Sequence, residues 1–135
     1  MRLNHVLIMT TDLSEMTTFF CQALALTVGD RPAFEFDGVW LYDDQNLPCI
    51  HLADRSDINA HQAEYLRQPK GSNLHSGLDT IDHLAFSSKD YPTLIRRLDQ
   101  HQIPYIERDI PESEEHQVFV FGPDELKVEI VFSRD

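Results

Sequence analysis

Apolar and polar residues alternate through residues 3–9, so that Leu3, His5 and Leu7 fall on one side of an extended chain and Asn4, Val6 and Ile8 on the other. After the polar corner Thr10-Thr11-Asp12 the period becomes helical, with Leu13, Met16, Phe20 and Leu24 at steps of three or four. Asp12 is a suitable N-cap, and Glu15 three residues on makes a capping-box-like pair. Strand-like runs follow at residues 27–30, 39–43 and 49–53, the last two separated by the turn segment Asp44-Gln45-Asn46-Leu47-Pro48. The same succession then returns. An apolar run at 81–86 leads through a serine corner to Asp90, with Pro92 in the first turn of a helix marked by Tyr91, Leu94, Ile95 and Leu98. Strands are expected at 105–109, 118–121 and 127–132, the last two flanking Gly122-Pro123-Asp124-Glu125.

The second succession is a repeat of the first. Residues 3–31 align on 81–109 without a gap at a shift of 78, which places His5 on His83, Asp12 on Asp90 and, further on, His51 on Glu129. An α+β fold of two tandem βαβββ modules is therefore predicted, at residues 1–53 and 81–135, together one structural domain. Between them, residues 54–80 are polar and broken by Pro69, Gly71 and Gly77, which reads as a linker with a short helix near 58–66. Half of so short a chain cannot cover both faces of its own sheet. The two sheets are expected to curl against each other as a cup-shaped, barrel-like sheet around a shared cavity.

Composition narrows the partners. The chain has 135 residues, 41% hydrophobic and 25% charged, an ordinary globular mix. Eleven Lys and Arg against 23 Asp and Glu leave a net charge of −12, a field that repels phosphate backbones and anionic lipid and so argues against nucleic acid and membranes. The apolar N-terminal run is too short for a signal segment or a span. Two cysteines, Cys21 and Cys49, without motif spacing fit a reducing cytoplasm.

Seven histidines in an acidic chain pose the chemical question. His5, His51 and His83 each interrupt an apolar strand, and Glu129 occupies the fourth equivalent position beside Lys127. A single strand histidine is usually a hydrogen-bonded structural residue. Four ligand-type residues at repeat-equivalent positions, with 46 residues between the members of each pair, have no common structural explanation. Three imidazoles and a carboxylate suit a divalent transition metal such as Zn, Ni, Co, Fe or Mn better than Ca. Elsewhere, His61 and His75 fall in the linker, and His101 at the end of the second helix, where a cation is favoured. His116 precedes a strand bordering the expected cavity, where it can touch substrate or face solvent. Cys49 reads as a small buried residue rather than a nucleophile. Arg31 with Pro32 and Phe34 forms a basic-aromatic cluster able to hold an anionic substrate, although an exposed arginine is the ordinary reading. Arg31, Trp40 and His116 are the candidate substrate contacts.

Four stretches carry a resemblance: Leu3-Asn4-His5-Val6 leading to Thr11-Asp12-Leu13, Phe36-Asp37-Gly38-Val39-Trp40-Leu41 leading to Ile50-His51-Leu52, Ile81-Asp82-His83-Leu84-Ala85-Phe86, and Gly122-Pro123-Asp124 leading to Val128-Glu129. Outside the linker the chain resembles the vicinal oxygen chelate superfamily, which includes glyoxalase I, methylmalonyl-CoA epimerase, extradiol dioxygenases, fosfomycin-resistance enzymes and bleomycin-binding proteins. The resemblance implies paired modules around a divalent metal held by His5, His51, His83 and Glu129, with Glu129 also the catalytic base. It implies a lyase or isomerase of the glyoxalase type, acting on a small oxygen-bearing substrate through a metal-stabilised enediolate, and a homodimer. A ligand at His51 separates this chain from the dioxygenase and fosfomycin patterns, which leave that position empty. Met9, where bacterial glyoxalases carry arginine, weakens a glutathione conjugate, and Glu125 replaces the family's glycine. The alternatives are an extradiol-type dioxygenase, a fosfomycin-type thiol transferase, and a non-enzymatic binder of an antibiotic or other small molecule.

Overall fold

The computed structural model describes residues 4–56, 62, 83–110 and 115–133. The first module runs β1 (Val6–Thr10), α1 (Leu13–Leu24), β2 (Thr27–Gly29), β3 (Gly38–Tyr42) and β4 (Pro48–Asp54). The second runs β5 (Leu84–Ser87), α2 (Tyr91–Gln100), β6 (Tyr105–Ile110), β7 (Glu115–Phe121) and β8 (Lys127–Ser133). Both have the order β-α-β-β-β that the repeat predicts. Each builds a four-stranded sheet, ordered β1-β4-β3-β2 and β5-β8-β7-β6. In each sheet the first strand lies parallel to the last and the other pairings are antiparallel. The register is equivalent too, with Leu7 opposite His51 and Ala85 opposite Glu129. The expected helix at 58–66 and both linker histidines, His61 and His75, lie outside the described residues, apart from the buried Gln62.

Both helices start where the caps predict. Asp12 Oδ1 accepts from the Glu15 amide at 2.9 Å, and Asp90 Oδ1 from that of Thr93 at 3.1 Å. The capping box is not completed, because the Asp12 amide donates to Thr10 Oγ1 at 3.1 Å instead of to the Glu15 side chain. The Thr10 hydroxyl in turn donates to Asp124 Oδ2 at 2.8 Å, tying the end of β1 to the second module.

The alternation of each strand splits it between a helix-facing side and an opposite side. Met16, Phe20 and Ala23 of α1, Leu94 and Leu98 of α2, Leu41, Ile50 and Leu52 of the first sheet, and Val118, Val120, Val128, Ile130 and Phe132 of the second form one apolar core. Full burial of side chains such as Phe20 and Leu98 stabilises the fold by about 1.5–3 kcal/mol each. The modules therefore join through their helices, with α1 against α2 and Arg97 Nη1 donating to the Ala23 carbonyl at 3.4 Å. Among the described residues no strand of one sheet pairs with the other, so the sheets are not closed into one barrel within the chain. The helix-facing sides are the more apolar and bury each other, which leaves the opposite faces, with their polar residues, open.

Candidate metal centre

His5 lies just before β1 on the open side, exposed, while Val6 and Ile8 turn inward to the core. Its Nδ1–H donates to Asn4 Oδ1 at 2.7 Å, a bond that fixes the tautomer and leaves the Nε2 lone pair available. His51, on β4 between the core residues Ile50 and Leu52, is 7% exposed. Its ring stacks between those of His5 and Trp40, each at a centroid distance of 3.9 Å, and Trp40 is its cross-strand partner. Burial, then the neighbouring His5, hold the His51 pKa below the usual histidine value, so the ring is neutral and its basic nitrogen can accept a cation. Among the described residues His51 Nε2 is buried without a hydrogen-bond partner, which costs about 1–3 kcal/mol.

The second module repeats the arrangement with one donor exchanged. His83 precedes β5 on the open face, and Glu129 on β8 is 7% exposed between the inward-facing Val128 and Ile130. His83 Nε2 lies 2.8 Å from Glu129 Oε2. Phe119 stands opposite Glu129 across the β7–β8 ladder and meets His83 edge-on at 6.2 Å. The candidate ligands are thus two pairs, one of nitrogen donors and one of nitrogen and oxygen. Among the described residues no three His, Cys, Asp or Glu side chains are gathered into a group that could hold a metal. The donor chemistry and the orphaned Nε2 fit a transition metal, with each module offering half of a set.

Beside the first pair lies a small groove of about 60 Å³ lined by His5, Arg31, Phe34, Phe36, Trp40 and His51. Phe34 and Phe36 stack at 5.3 Å, and the Arg31 guanidinium lies 4.9 and 5.0 Å from their ring centres. Arg31 Nη2 donates to the Phe36 carbonyl at 2.7 Å. Gly38 makes this packing possible, since a Cβ there would come within 2.6 Å of the Leu52 carbonyl oxygen and 3.0 Å of Arg31 Nη2. Two residues of the site, Asn4 beside His5 and Phe36 in the groove, escape the sequence reading. Asn4 is marked only by standing next to a histidine, and Phe36 by recurring two positions after Phe34.

The other candidates stand apart. His116 lies within β7 on the side of Val118 and Val120, against Tyr91 and Phe132, so the structure does not bring it to Glu129 or to the groove. The physical reason is that β7 begins at Glu115, earlier than expected, and its alternation turns His116 to the helix side. There Nδ1 donates to Asp109 at 2.9 Å and Nε2 to Glu107 at 2.7 Å, and these bonds, led by Asp109, raise its pKa. His101 is the C-cap of α2. Cys49 packs against the core, and burial raises its thiol pKa, as suits a structural cysteine. A larger cleft of about 470 Å³ between the end of α1 and the start of α2, bordered by Asp43, Asp90 and Arg97, contains none of the candidate ligands.

A family model described as the Glyoxalase/Bleomycin resistance protein/Dioxygenase superfamily matches residues 2–130. No curated protein matches the sequence. Solved structures similar to this fold include a protein from the mobile metagenome of V. Pseudocholerae, at 14% identity over 100% of this chain and 96% of that one, TM-score 0.70. The fosfomycin resistance protein FosX from Listeria monocytogenes aligns at 13% identity, over 98% of this chain and 93% of its own, TM-score 0.66. A lactoylglutathione lyase from Agrobacterium tumefaciens aligns at 16% identity, over 97% and 92%, TM-score 0.64. At these identities the likeness is one of fold. Among the described residues no helix is long and apolar enough to cross a membrane.

Proposed function

Since the chain belongs to the glyoxalase, bleomycin resistance and dioxygenase superfamily, we propose that it is a divalent-metal-dependent lyase or isomerase acting on a small oxygen-bearing substrate in the cytoplasm. The observation that carries this reading is the pair of repeat-equivalent half-sets, His5 with His51 and His83 with Glu129. These four residues would hold the metal, and because each pair opens away from the shared core, the pairs meet across a homodimer. A cation bound there would polarise oxygen atoms of the substrate and acidify an adjacent C–H bond. Glu129 is the base assigned to that proton: a buried carboxylate, held at 2.8 Å by His83 and flanked by Phe119. His51 favours lyase or isomerase chemistry over ring cleavage, because a fourth protein donor leaves fewer positions for both a catechol and oxygen. Asn4 orients His5, and the groove beside Trp40 takes the substrate body.

Mixed dimers test the reading. One chain carries His5→Ala and His51→Ala, the other His83→Ala and Glu129→Gln, and each alone should bind no metal by elemental analysis. Combined, they should regain one intact site per mixed dimer, with activity in proportion. A metal-free mixture beside a metal-loaded wild type refutes the shared site. A wild-type protein free of stoichiometric metal replaces the enzyme reading with that of a small-molecule binder.

A further inference from the structure

We propose that Arg31 is the anchor for a carboxylate, and that the groove beside it selects small, flat, aromatic or unsaturated monocarboxylates as the substrate class. The proposal deepens the metal-dependent reading and rests on it for the reaction, but not for binding. In a chain with 23 acidic and 11 basic residues, an arginine has ample opportunity to pair with a carboxylate. Arg31 does not: among the described residues no Asp or Glu lies within ion-pair distance of it. It is held instead by the Phe36 carbonyl and by two aromatic rings, which fix the plane of the guanidinium without neutralising it. Arg108 of the second module, one position before the repeat equivalent of Arg31, Asp109, shows a contrast. Arg108 also lies over an aromatic ring, Phe119, at 5.0 Å, but its fork is engaged by Gln117 Oε1 at 3.0 and 2.6 Å.

The groove supplies the rest of the selection. Beside Leu7, Leu52 and Ala53 its lining carries the rings of Phe34, Phe36, Trp40, His51 and His5, which favour a flat π-system over a saturated body. About 60 Å³ admits a carboxylate and the near edge of a ring and excludes a nucleotide or a peptide. One guanidinium in a field of net charge −12 holds a monoanion more readily than a phosphate dianion. Gly38 belongs to the same design, because any side chain there meets the Arg31 fork.

Trp40 is the only tryptophan in the chain, so its emission reports on this groove alone. The protein as purified is titrated with benzoate and phenylpyruvate, with the neutral isostere benzamide, and with inorganic phosphate. The carboxylates should change the emission saturably, with benzamide and phosphate at least about tenfold weaker. Arg31→Gln should weaken benzoate about 10- to 100-fold, and Arg31→Lys, which keeps the charge without the fork, by less. The Lys variant carries the test if the Gln variant does not fold. The proposal is overturned if no carboxylate gives a saturable change, if benzamide or phosphate matches benzoate, or if both variants bind benzoate like the wild type. Repeating the titration after EDTA treatment separates the two readings. Arg31-dependent binding in a protein that never holds metal leaves the anchor standing and removes the metal enzyme, whereas stoichiometric metal without carboxylate preference does the reverse.

Discussion

Replacing His51 with phenylalanine should make the metal-free protein more stable and the metal-treated protein insensitive to metal. His51 is 7% exposed, its Nε2 has no hydrogen-bond partner among the described residues, and its ring is stacked at 3.9 Å on both sides. A phenyl ring keeps both stacks and removes the orphaned nitrogen, recovering about 1–3 kcal/mol. Its larger volume offsets part of that gain in a packed site. The net stabilisation is about 1 kcal/mol, or about 3–5 °C in melting temperature for a chain of this length. Differential scanning fluorimetry with EDTA, and then with Zn, Ni, Co or Mn, reads both effects. The wild type should gain about 2.7 kcal/mol at a metal concentration 100 times the dissociation constant, and the variant nothing. The reasoning fails if His51→Phe melts several degrees lower in EDTA, since Nε2 is then satisfied in solution. It fails equally if the variant keeps the full metal increment, since His51 is then no ligand.

Two further outcomes follow from residues away from the candidate ligands. Glu125, at φ 59°, occupies the left-handed region that favours glycine, so Glu125→Gly should stabilise by about 0.5–1 kcal/mol after the added freedom of the unfolded chain is deducted; a urea midpoint that falls refutes it. His116 has a raised pKa, so its contribution to stability is fully present below the unfolded value near pH 6.5 and is lost as pH rises through the folded value. His116→Gln should flatten that alkaline decline in urea midpoints measured from about pH 5.5 to 9, and parallel curves for the two proteins would contradict the pairing with Asp109 and Glu107.

Most of the local architecture is legible because it rests on local physics. Asp12 and Asp90 mark the helix starts through one side-chain bond each, and alternation alone sends Val6, Ile8, Ile50 and Leu52 to the core and His5 and His51 to the opposite face. The places where the reading strays are set by other forces. A constant shift of 78 carries His51 to Glu129, but the aromatic beside each, Trp40 and Phe119, is offset by one more residue. The irregularity between Leu41 and Tyr42 lengthens the first hairpin by that residue. His116, expected before the strand, falls within it because β7 starts at Glu115, and the period of two then turns it to the side of Val118 and Val120. How the modules sit on each other is not a local property. It is decided by Met16 and Phe20 packing with Leu94 and Leu98 in one core, which no spacing between histidines records.

The departures between the two halves say more about function than their agreement does. The strand register, the caps and the position of each candidate donor are kept, as the proposed common site would require. What has diverged is the company of each donor pair. The first module surrounds two stacked imidazoles with Phe34, Phe36 and Trp40, and among the described residues no carboxylate pairs with Arg31. The second places a carboxylate against an imidazole and engages Arg108 with Gln117. An aromatic surface with a guanidinium suits binding, and a buried carboxylate with a polar partner suits proton transfer. On the proposed function, the duplicated fold would divide the labour, substrate recognition to the first module and proton transfer to the second. On this division Arg31→Gln should raise KM with little change in kcat, while Glu129→Gln, which removes both the base and a ligand, should lower kcat and metal content together.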